Sequence, residues 1–216
     1  MYDDRSICWI SLDRSSYKCY FAVMAKVSSA REDMLSAAVE LFRARGYEGV
    51  GVAELLEKSG APRGSLYFHF PGGKEQIGAE VVERVGATVA GRFRELHESG
   101  VDMHTFIERV FKTTAKESKS RDFKASCPIC AIATGFAATD LKLTVAVRQV
   151  FNSWEEEIRL AAVTRGMTEA NASVFASAFL CAMEGAFVVA KAQGTSAPHV
   201  NASRAIQALA AQLLPN

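Results

Sequence analysis

Apolar positions recur at helical spacing from residue 29 onward. Ser29 and Glu32 stand three apart before an apolar run, which is the pattern of a capping box at the start of a helix. Arg43, Arg45 and Gly46 follow that run, and cations with a glycine are typical of the end of a helix. The apolar stripe between these signals consists of Leu35, Ala38, Leu41 and Phe42. The pattern therefore predicts a first helix from Ser29 to about Arg45.

A shorter helix and a very short one come next. Gly51 can serve as an N-cap and Ser59-Gly60 can end the helix, whose apolar stripe is Val52, Leu55 and Leu56. Pro62 suits the first position of the following helix, and the segment up to Phe70 allows about two turns. Leu66 and Phe70 are four apart, so both are expected to dock on the first two helices. The order helix, turn, short helix predicts a helix-turn-helix.

The remainder of the chain has the pattern of long helices. A connecting helix is expected from Lys74 to Ser99-Gly100, and Asp102 is expected to cap the next helix. The polar run KESKSRDFK, residues 116–124, is predicted to be a solvated loop. Further helices are predicted at Ala131–Ala138, Asp140–Thr164, Thr168–Gln193 and about Ala197–Leu214. The fold class is therefore all-α, with about nine helices. The predicted division of the chain is an N-terminal extension (1–26), a helix-turn-helix domain (27–75) and a larger helical domain (76–216).

Composition and charge narrow the class of protein. Of 216 residues, 49% are hydrophobic, which excludes general disorder, and 25 Lys+Arg against 24 Asp+Glu excludes a protein that coats nucleic acid by charge alone.

Residues 1–23 show no clear periodicity, so translation is expected to start at Met24, with an ordered arm as the alternative. Five cysteines without a secretory signal favour the cytoplasm. Glu184 interrupts the longest apolar run, which favours a buried helix over a membrane span.

The stretch SGAPRGSLYFHFPGGKEQ, residues 59–76, carries the candidate chemistry. A phosphate-binding P-loop would need glycine five positions before Gly73, where this chain has Phe68, and Ser or Thr where it has Glu75. A helix-turn-helix accounts for the stretch better. Its short second helix can enter the major groove of DNA, where Arg63 can bond a guanine edge and Gly64 lets the backbone approach. Tyr, His and Lys side chains can then contact phosphates.

The segment AAVELFRARGYEGVGVAELLEKSGAPRGSLYFHFPGGKEQIG, residues 37–78, resembles the DNA-binding domain of TetR/AcrR-family bacterial repressors, and GAPRGSLYFHFPGGKEQ is similar to the LmrA/YxaF branch. The motifs CPICAIA, VFNSWEEEI and AMEGAFVVAKA resemble the C-terminal domain of that family. The resemblance implies a C-terminal helical ligand-binding and dimerisation domain, no enzymatic activity and no cofactor. It implies that the residues contacting double-stranded operator DNA are Arg63, Gly64, Ser65, Tyr67, His69 and Lys74.

A small hydrophobic effector and a second copy of the chain are the other expected partners. Phe106, Phe136, Trp154, Met183 and Phe187, with Glu184 as a polar anchor, are candidates for a ligand pocket or for ordinary core. The last two helices are rich in small residues, which allow close packing against a second copy of the chain, so they are expected to form a homodimer. A dimer is also what DNA recognition requires, because two recognition helices on a two-fold axis read a palindrome. The expected function is a repressor that leaves its palindromic operator when the effector binds.

Cys127 and Cys130 form the main competing feature. A Cys-x-x-Cys pair can pack structurally, act as a redox switch or contribute half of a zinc site, but the chain offers no second pair of zinc ligands at suitable spacing. A thiol-redox-sensing repressor is therefore the alternative function. An enzyme with an incidental helix-turn-helix is the least favoured class, since no nucleophile and base, cofactor fingerprint or metal spacing supports it.

Overall fold

The computed structural model describes residues 14–135 and 141–215, with side chains from residue 30 onward, and this part of the chain contains helices and no strand. A 3₁₀ turn, Arg63–Ser65, lies between the second and third helices. The α-helices are α1 Arg14–Arg45, α2 Val52–Ser59, α3 Leu66–His69, α4 Gly73–Glu98, α5 Met103–Ser120, α6 Pro128–Ala133, α7 Leu141–Thr164, α8 Glu169–Gln193 and α9 Ala197–Leu213. The all-α prediction is confirmed.

The predicted start of α1 is wrong. The helix already runs from Arg14, so Ser29 lies inside it and cannot adopt the extended backbone of an N-cap. Glu32 forms an ion pair with Arg84 of α4 instead of closing a capping box. The end of α1 is as predicted, because the helix stops at Arg45 and Gly46 has a φ of 74°.

The first three helices share one core that fixes the orientation of α3. Phe42, Leu55, Leu66 and Phe70 are all buried in it. Gly60 ends α2 with a φ of 66°, a left-handed conformation that glycine adopts without strain. Pro62 is extended (φ −58°, ψ 139°) and precedes the helix rather than occupying its first position. The segment begins at Arg63 as a 3₁₀ turn, in which Ser65 N donates to Pro62 O at 2.9 Å.

The connecting helix α4 packs along α7, and an aromatic cluster fills the space behind them. Phe179 of α8 lies at the centre of this cluster, with ring-centroid distances of 5.2 Å to Phe111 and 6.1 Å to Phe106. Helices α5, α8 and α9 pack around the same core. As predicted, α4 ends just before Ser99-Gly100, and Asp102 caps α5 by accepting from Thr105 N at 2.8 Å.

Two predicted segments differ from the structure. Residues 116–120 belong to α5 rather than to a loop, because Ser118 is buried and its hydroxyl is hydrogen-bonded to His199 Nε2 at 2.9 Å. Helix α6 runs from Pro128 to Ala133 instead of Ala131–Ala138. Its proline occupies the first helical turn, where a missing N–H costs nothing. The predicted start of the next helix at Asp140 lies outside the described residues.

Helix α8 is long and apolar enough to cross a membrane by length and composition, with a mean hydropathy of 1.8 over its most apolar window. Half of that window is buried inside the fold. Core helices of soluble proteins commonly share these properties, so they are weak evidence for a membrane span.

Candidate functional site

The surface around α3 presents aromatic and cationic side chains together. Tyr67 is 65% exposed and Phe68 is 72% exposed, while Arg63 and Gly64 are also exposed. Adjoining aromatic side chains that are exposed to solvent commonly mark a surface that binds another molecule. The buried Leu66 and Phe70 hold α3 against the core, so this outward set has a fixed orientation.

Ser65 and His69 are less exposed than expected for residues that contact DNA, and both side chains have partners within the protein. Both are half-buried, and the Ser65 hydroxyl donates to Pro62 O at 2.7 Å. The His69 ring meets Phe68 edge to face, with centroids 5.0 Å apart. The structure therefore brings both residues to the same surface, where Ser65 stabilises the turn and His69 supports Phe68.

Phe68 is the residue on this surface that the sequence analysis missed. It lies two positions from Leu66 and two from Phe70, so on a helix it must face away from the buried side. That spacing was a usable signal, because an aromatic residue opposite an apolar face has no core to fill.

Lys74 lies in the first turn of α4, beside α3. Its Nζ is 4.1 Å from the centroid of the Tyr47 ring, which is a cation–π contact. The Gly72 N–H just before the helix is already bonded to Gln76 Oε1 at 2.9 Å. The lysine is thus held close to a helix N-terminus, a position that favours an anionic group.

A cavity of about 690 Å³ lies within the larger helical part of the molecule. Four of the six candidate pocket residues line it, namely Trp154, Met183, Glu184 and Phe187. Phe106 does not line it, because its ring is packed between Phe179 and the guanidinium of Arg165. Phe136 lies outside the described residues. The other apolar walls come from Val85, Val89, Phe93, Leu96, Val110, Cys127 and Pro128.

Glu184 is the polar group at the inner wall of this cavity. It is 9% exposed, and within the described part of the chain no N–H or O–H group bonds either carboxyl oxygen; only the weakly donating thiols of Cys127 and Cys130 adjoin it. The pKa of Glu184 is raised to about 7, mainly by burial and to a smaller extent by the carboxylate of Glu117, against the lowering effect of hydrogen bonds from the two thiols and of the charge of Arg43. A buried carboxyl that only weak donors contact is costly, so a ligand that donates a strong hydrogen bond to it would relieve that cost.

The two cysteines lie beside the same carboxyl. Burial raises the pKa of Cys127 well above its ordinary value, and the negative charge of Glu184 adds to the effect. Burial likewise raises the pKa of Cys130 to about 11. Since the thiolate is the reactive form, both thiols are poor nucleophiles in this conformation.

The cavity opens among exposed cations. Arg92, Arg109, Lys112 and Lys116 stand at its rim, with Glu95 as an acid among them. Thr114 also lines the cavity, and its hydroxyl is 3.0 Å from Nδ1 of the buried His199 on α9. The rim favours an uncharged or anionic ligand over a cationic one.

Helix α8 carries an exposed stripe of small and apolar residues. Its members are spaced three or four apart, which places them on one face: Val174, Ser177, Cys181, Gly185 and Val188. Val200 on the neighbouring α9 is also 45% exposed. A face of this kind can pack closely against a second helix.

Two family models match the chain, one over each part of the fold. Residues 34–90 match the model of bacterial regulatory proteins of the TetR family, and residues 104–205 match the C-terminal domain of LmrA/YxaF-like transcriptional regulators. The fold and the exposed α3 surface agree with a DNA-binding regulator. The chain belongs to the TetR family of transcriptional regulators, which are DNA-binding proteins rather than enzymes.

Known proteins are similar over most of the chain. The HTH-type transcriptional regulator LmrA of Bacillus subtilis (strain 168) is 28% identical over 181 residues, which covers 82% of this chain and 94% of LmrA. A solved TetR regulatory protein of Rhodobacter sphaeroides has a TM-score of 0.73 at 22% identity and covers 82% of this chain and 96% of its own. The TetR family regulator CifR, solved with a 26-bp operator DNA, has a TM-score of 0.66 at 19% identity and covers 82% of this chain and 94% of its own.

Proposed function

We propose that this TetR-family regulator is a cytoplasmic homodimeric repressor that leaves a palindromic operator when a small hydrophobic or aromatic effector enters the cavity. The effector part of this proposal rests on the cavity and on the buried Glu184 carboxyl in its wall, which no N–H or O–H group of the described chain bonds. We take residues 27–75 as the DNA-binding unit and residues 76–216 as the effector-binding and dimerisation unit.

The DNA contacts proposed are those of the α3 surface. Arg63 reaches a guanine edge, Gly64 lets the backbone approach, and Tyr67 with Phe68 packs against sugars or thymine methyl groups. Lys74 binds a phosphate beside the α4 N-terminus. Ser65 and His69 keep the turn and the aromatic pair in place.

Helix α4 connects the two parts of the mechanism. It begins beside the DNA-binding surface and contributes Val85, Val89 and Phe93 to the cavity wall. An effector that binds better when α4 is tilted shifts the population of dimers away from the operator-bound spacing.

The thiol-redox alternative rests on the placement of Cys127 in the cavity wall and of both thiols next to Glu184. The raised pKa of each thiol argues against it, because thiolate would be scarce at neutral pH. Effector binding is therefore the preferred mechanism.

Binding to DNA tests the proposal first. Fluorescence anisotropy with the chain's own upstream intergenic DNA, across a salt series, should show sequence-specific binding that Arg63→Ala and Tyr67→Ala each weaken by about tenfold or more. Arg148→Ala, an exposed arginine on α7, is the matched control and should bind as the parent does. Equal affinities for all three variants would contradict the assignment of the α3 surface.

A further inference from the structure

Arg43 belongs to the DNA-binding unit but reaches into the effector cavity. It lies in the last turn of α1, and its side chain is only 11% exposed. It lines the cavity together with Glu184, and its Nη1 forms an ion pair with Glu117 on α5. Its Nε is buried and has no hydrogen-bond partner among the described residues.

The same end of α1 is tied to the larger domain through its backbone. Ser126 N donates to Arg43 O at 3.0 Å, and Lys191 Nζ on α8 donates to Ala44 O at 3.0 Å. These bonds anchor the C-terminal end of α1 to two elements near the cavity. A change in the position of Arg43 therefore acts on the first helix of the helix-turn-helix directly, without passing through α4.

Two carboxyl groups compete for this guanidinium. Glu117 holds it in the present structure, while Glu184 faces the same cavity, and among the described residues no N–H or O–H group bonds its oxygens. A guanidinium has five N–H donors in a rigid fork, so a group that enters between the two acids can engage its free edge. A rotation of the Arg43 side chain away from Glu117 would turn its guanidinium further toward the cavity.

We propose that Arg43 couples the effector cavity to the DNA-binding domain. The effector bonds the buried Nε–H of Arg43 through an acceptor and bonds Glu184 through a donor, and so draws the end of α1 toward the cavity. The effector class that fits is an apolar body that carries both a hydrogen-bond acceptor and a donor, without a fixed positive charge. This inference rests on the proposed ligand-responsive function.

The probe for the test is 1-anilinonaphthalene-8-sulfonate, an aromatic anion with a sulfonate acceptor and an anilino N–H donor. In a Trp9→Phe background Trp154 is the sole remaining tryptophan of two, and it lines the cavity. Energy transfer from Trp154 to the dye therefore reports binding at this site. The dye Kd is measured with and without saturating amounts of the DNA fragment that the anisotropy experiment identifies.

In the parent, DNA should raise the dye Kd by at least about fivefold, since coupling between two sites is reciprocal. In Arg43→Gln this ratio should fall to within about twofold of one, because the two sites lose their link. Arg43→Lys should behave in the same way and guards against a folding defect, since lysine keeps the charge opposite Glu117 but lacks the Nε–H and the planar fork.

Arg121→Gln is the matched control. Arg121 also pairs with α1, through Glu40 at 2.6 Å, and its buried Nε also has no partner among the described residues, but it does not line the cavity. It should keep the parent's ratio. A ratio that stays at fivefold in both Arg43 variants overturns the role of Arg43 alone. A parent that does not bind the dye, or binds it equally with and without DNA, overturns the ligand-responsive function itself.

Discussion

The indole N–H of Trp154 on α7 donates a hydrogen bond of 2.9 Å to the main-chain oxygen of Gly86 in α4. The approach of the two helices is close at this point, because a Cβ on Gly86 would lie 2.8 Å from Val150 Cγ1 and closer still to Cγ2. Trp154 also forms part of the cavity wall. A cavity residue therefore bonds the backbone of the helix that begins beside the α3 surface.

Gly86→Ala should lower the free energy of unfolding by about 1–3 kcal/mol, because the branched Val150 side chain cannot yield and overpacking outweighs the better helix propensity of alanine. Gly91→Ala is the matched control on the same helix, with no atom within 4 Å of the added methyl group. It should raise stability by about 0.5–1 kcal/mol. Urea denaturation followed by circular dichroism measures both, and equal gains would contradict the close packing of α4 on α7.

Three helix ends could be predicted from neighbouring residues alone. Gly46, Gly60 and Asp102 end or begin helices as predicted, since caps depend on a few neighbouring residues. The errors came from distant partners. Glu32 meets Arg84 rather than capping α1, and Ser118 is buried by His199 from the other end of the chain, which no local pattern reveals.

The residues of the α3 surface could be predicted from the sequence, whereas the position of Arg43 in the cavity could not. The buried Leu66 and Phe70 fix the outward face of α3, so its candidates could be read from spacing alone. Arg43 could not be found in this way, because its position in the last turn of α1 already had a sufficient explanation in the helix dipole. Its place in the cavity follows from how the two domains pack, a tertiary feature that helix periodicity does not encode.

Phe68→Ala should weaken operator binding by about tenfold, since burial of an aromatic side chain against a sugar or a thymine methyl group contributes up to about 1.5–3 kcal/mol. Its 72% exposure means that the free protein should lose little stability. Leu160→Ala, an exposed apolar residue on α7, is the control and should leave both quantities unchanged. Anisotropy titrations beside thermal melts separate the two effects. Unchanged DNA affinity in Phe68→Ala would remove it from the interface.

Val188→Arg should convert the dimer into monomers, because it places a charge in the exposed stripe of α8 that we expect to pack against a second copy. Light scattering after size exclusion measures the mass, and operator affinity should fall along with dimerisation. Val145→Arg, at an exposed valine on α7, should stay dimeric. A Val188→Arg protein that is still a dimer would place the interface elsewhere.

Oxidation of Cys127 and Cys130 should have little effect on DNA binding. The test uses a Cys8→Ser, Cys19→Ser, Cys181→Ser background, which leaves these two of the five cysteines. Their raised pKa values predict slow reaction with diamide at pH 7 and an operator Kd within about twofold of the untreated protein. Loss of binding that Cys130→Ser prevents would instead establish the thiol-redox mechanism.

The free energy of unfolding should depend on the protonation of Glu184. Its pKa rises from an ordinary 4.5 to about 7 on folding, so between these pH values the folded state binds more protons than the unfolded state. The contribution of Glu184 to the free energy of unfolding is therefore greatest below pH 4.5, and it decreases as the pH rises to about 7. The groups that face it are Arg43 on α1, Glu117 on α5, and the thiols of Cys127 and Cys130.

Glu184→Gln should remove this dependence and be more stable than the parent at pH 8, by up to about 3 kcal/mol. The difference between variant and parent is the quantity to plot against pH, because burial lowers the pKa of His199 and adds a contribution of opposite sign to both proteins. Glu108→Gln, on the exposed side of α5, should match the parent at every pH. A difference that stays constant from pH 5 to pH 8 would mean that Glu184 is ionised throughout, and that an effector would meet a carboxylate rather than an acid.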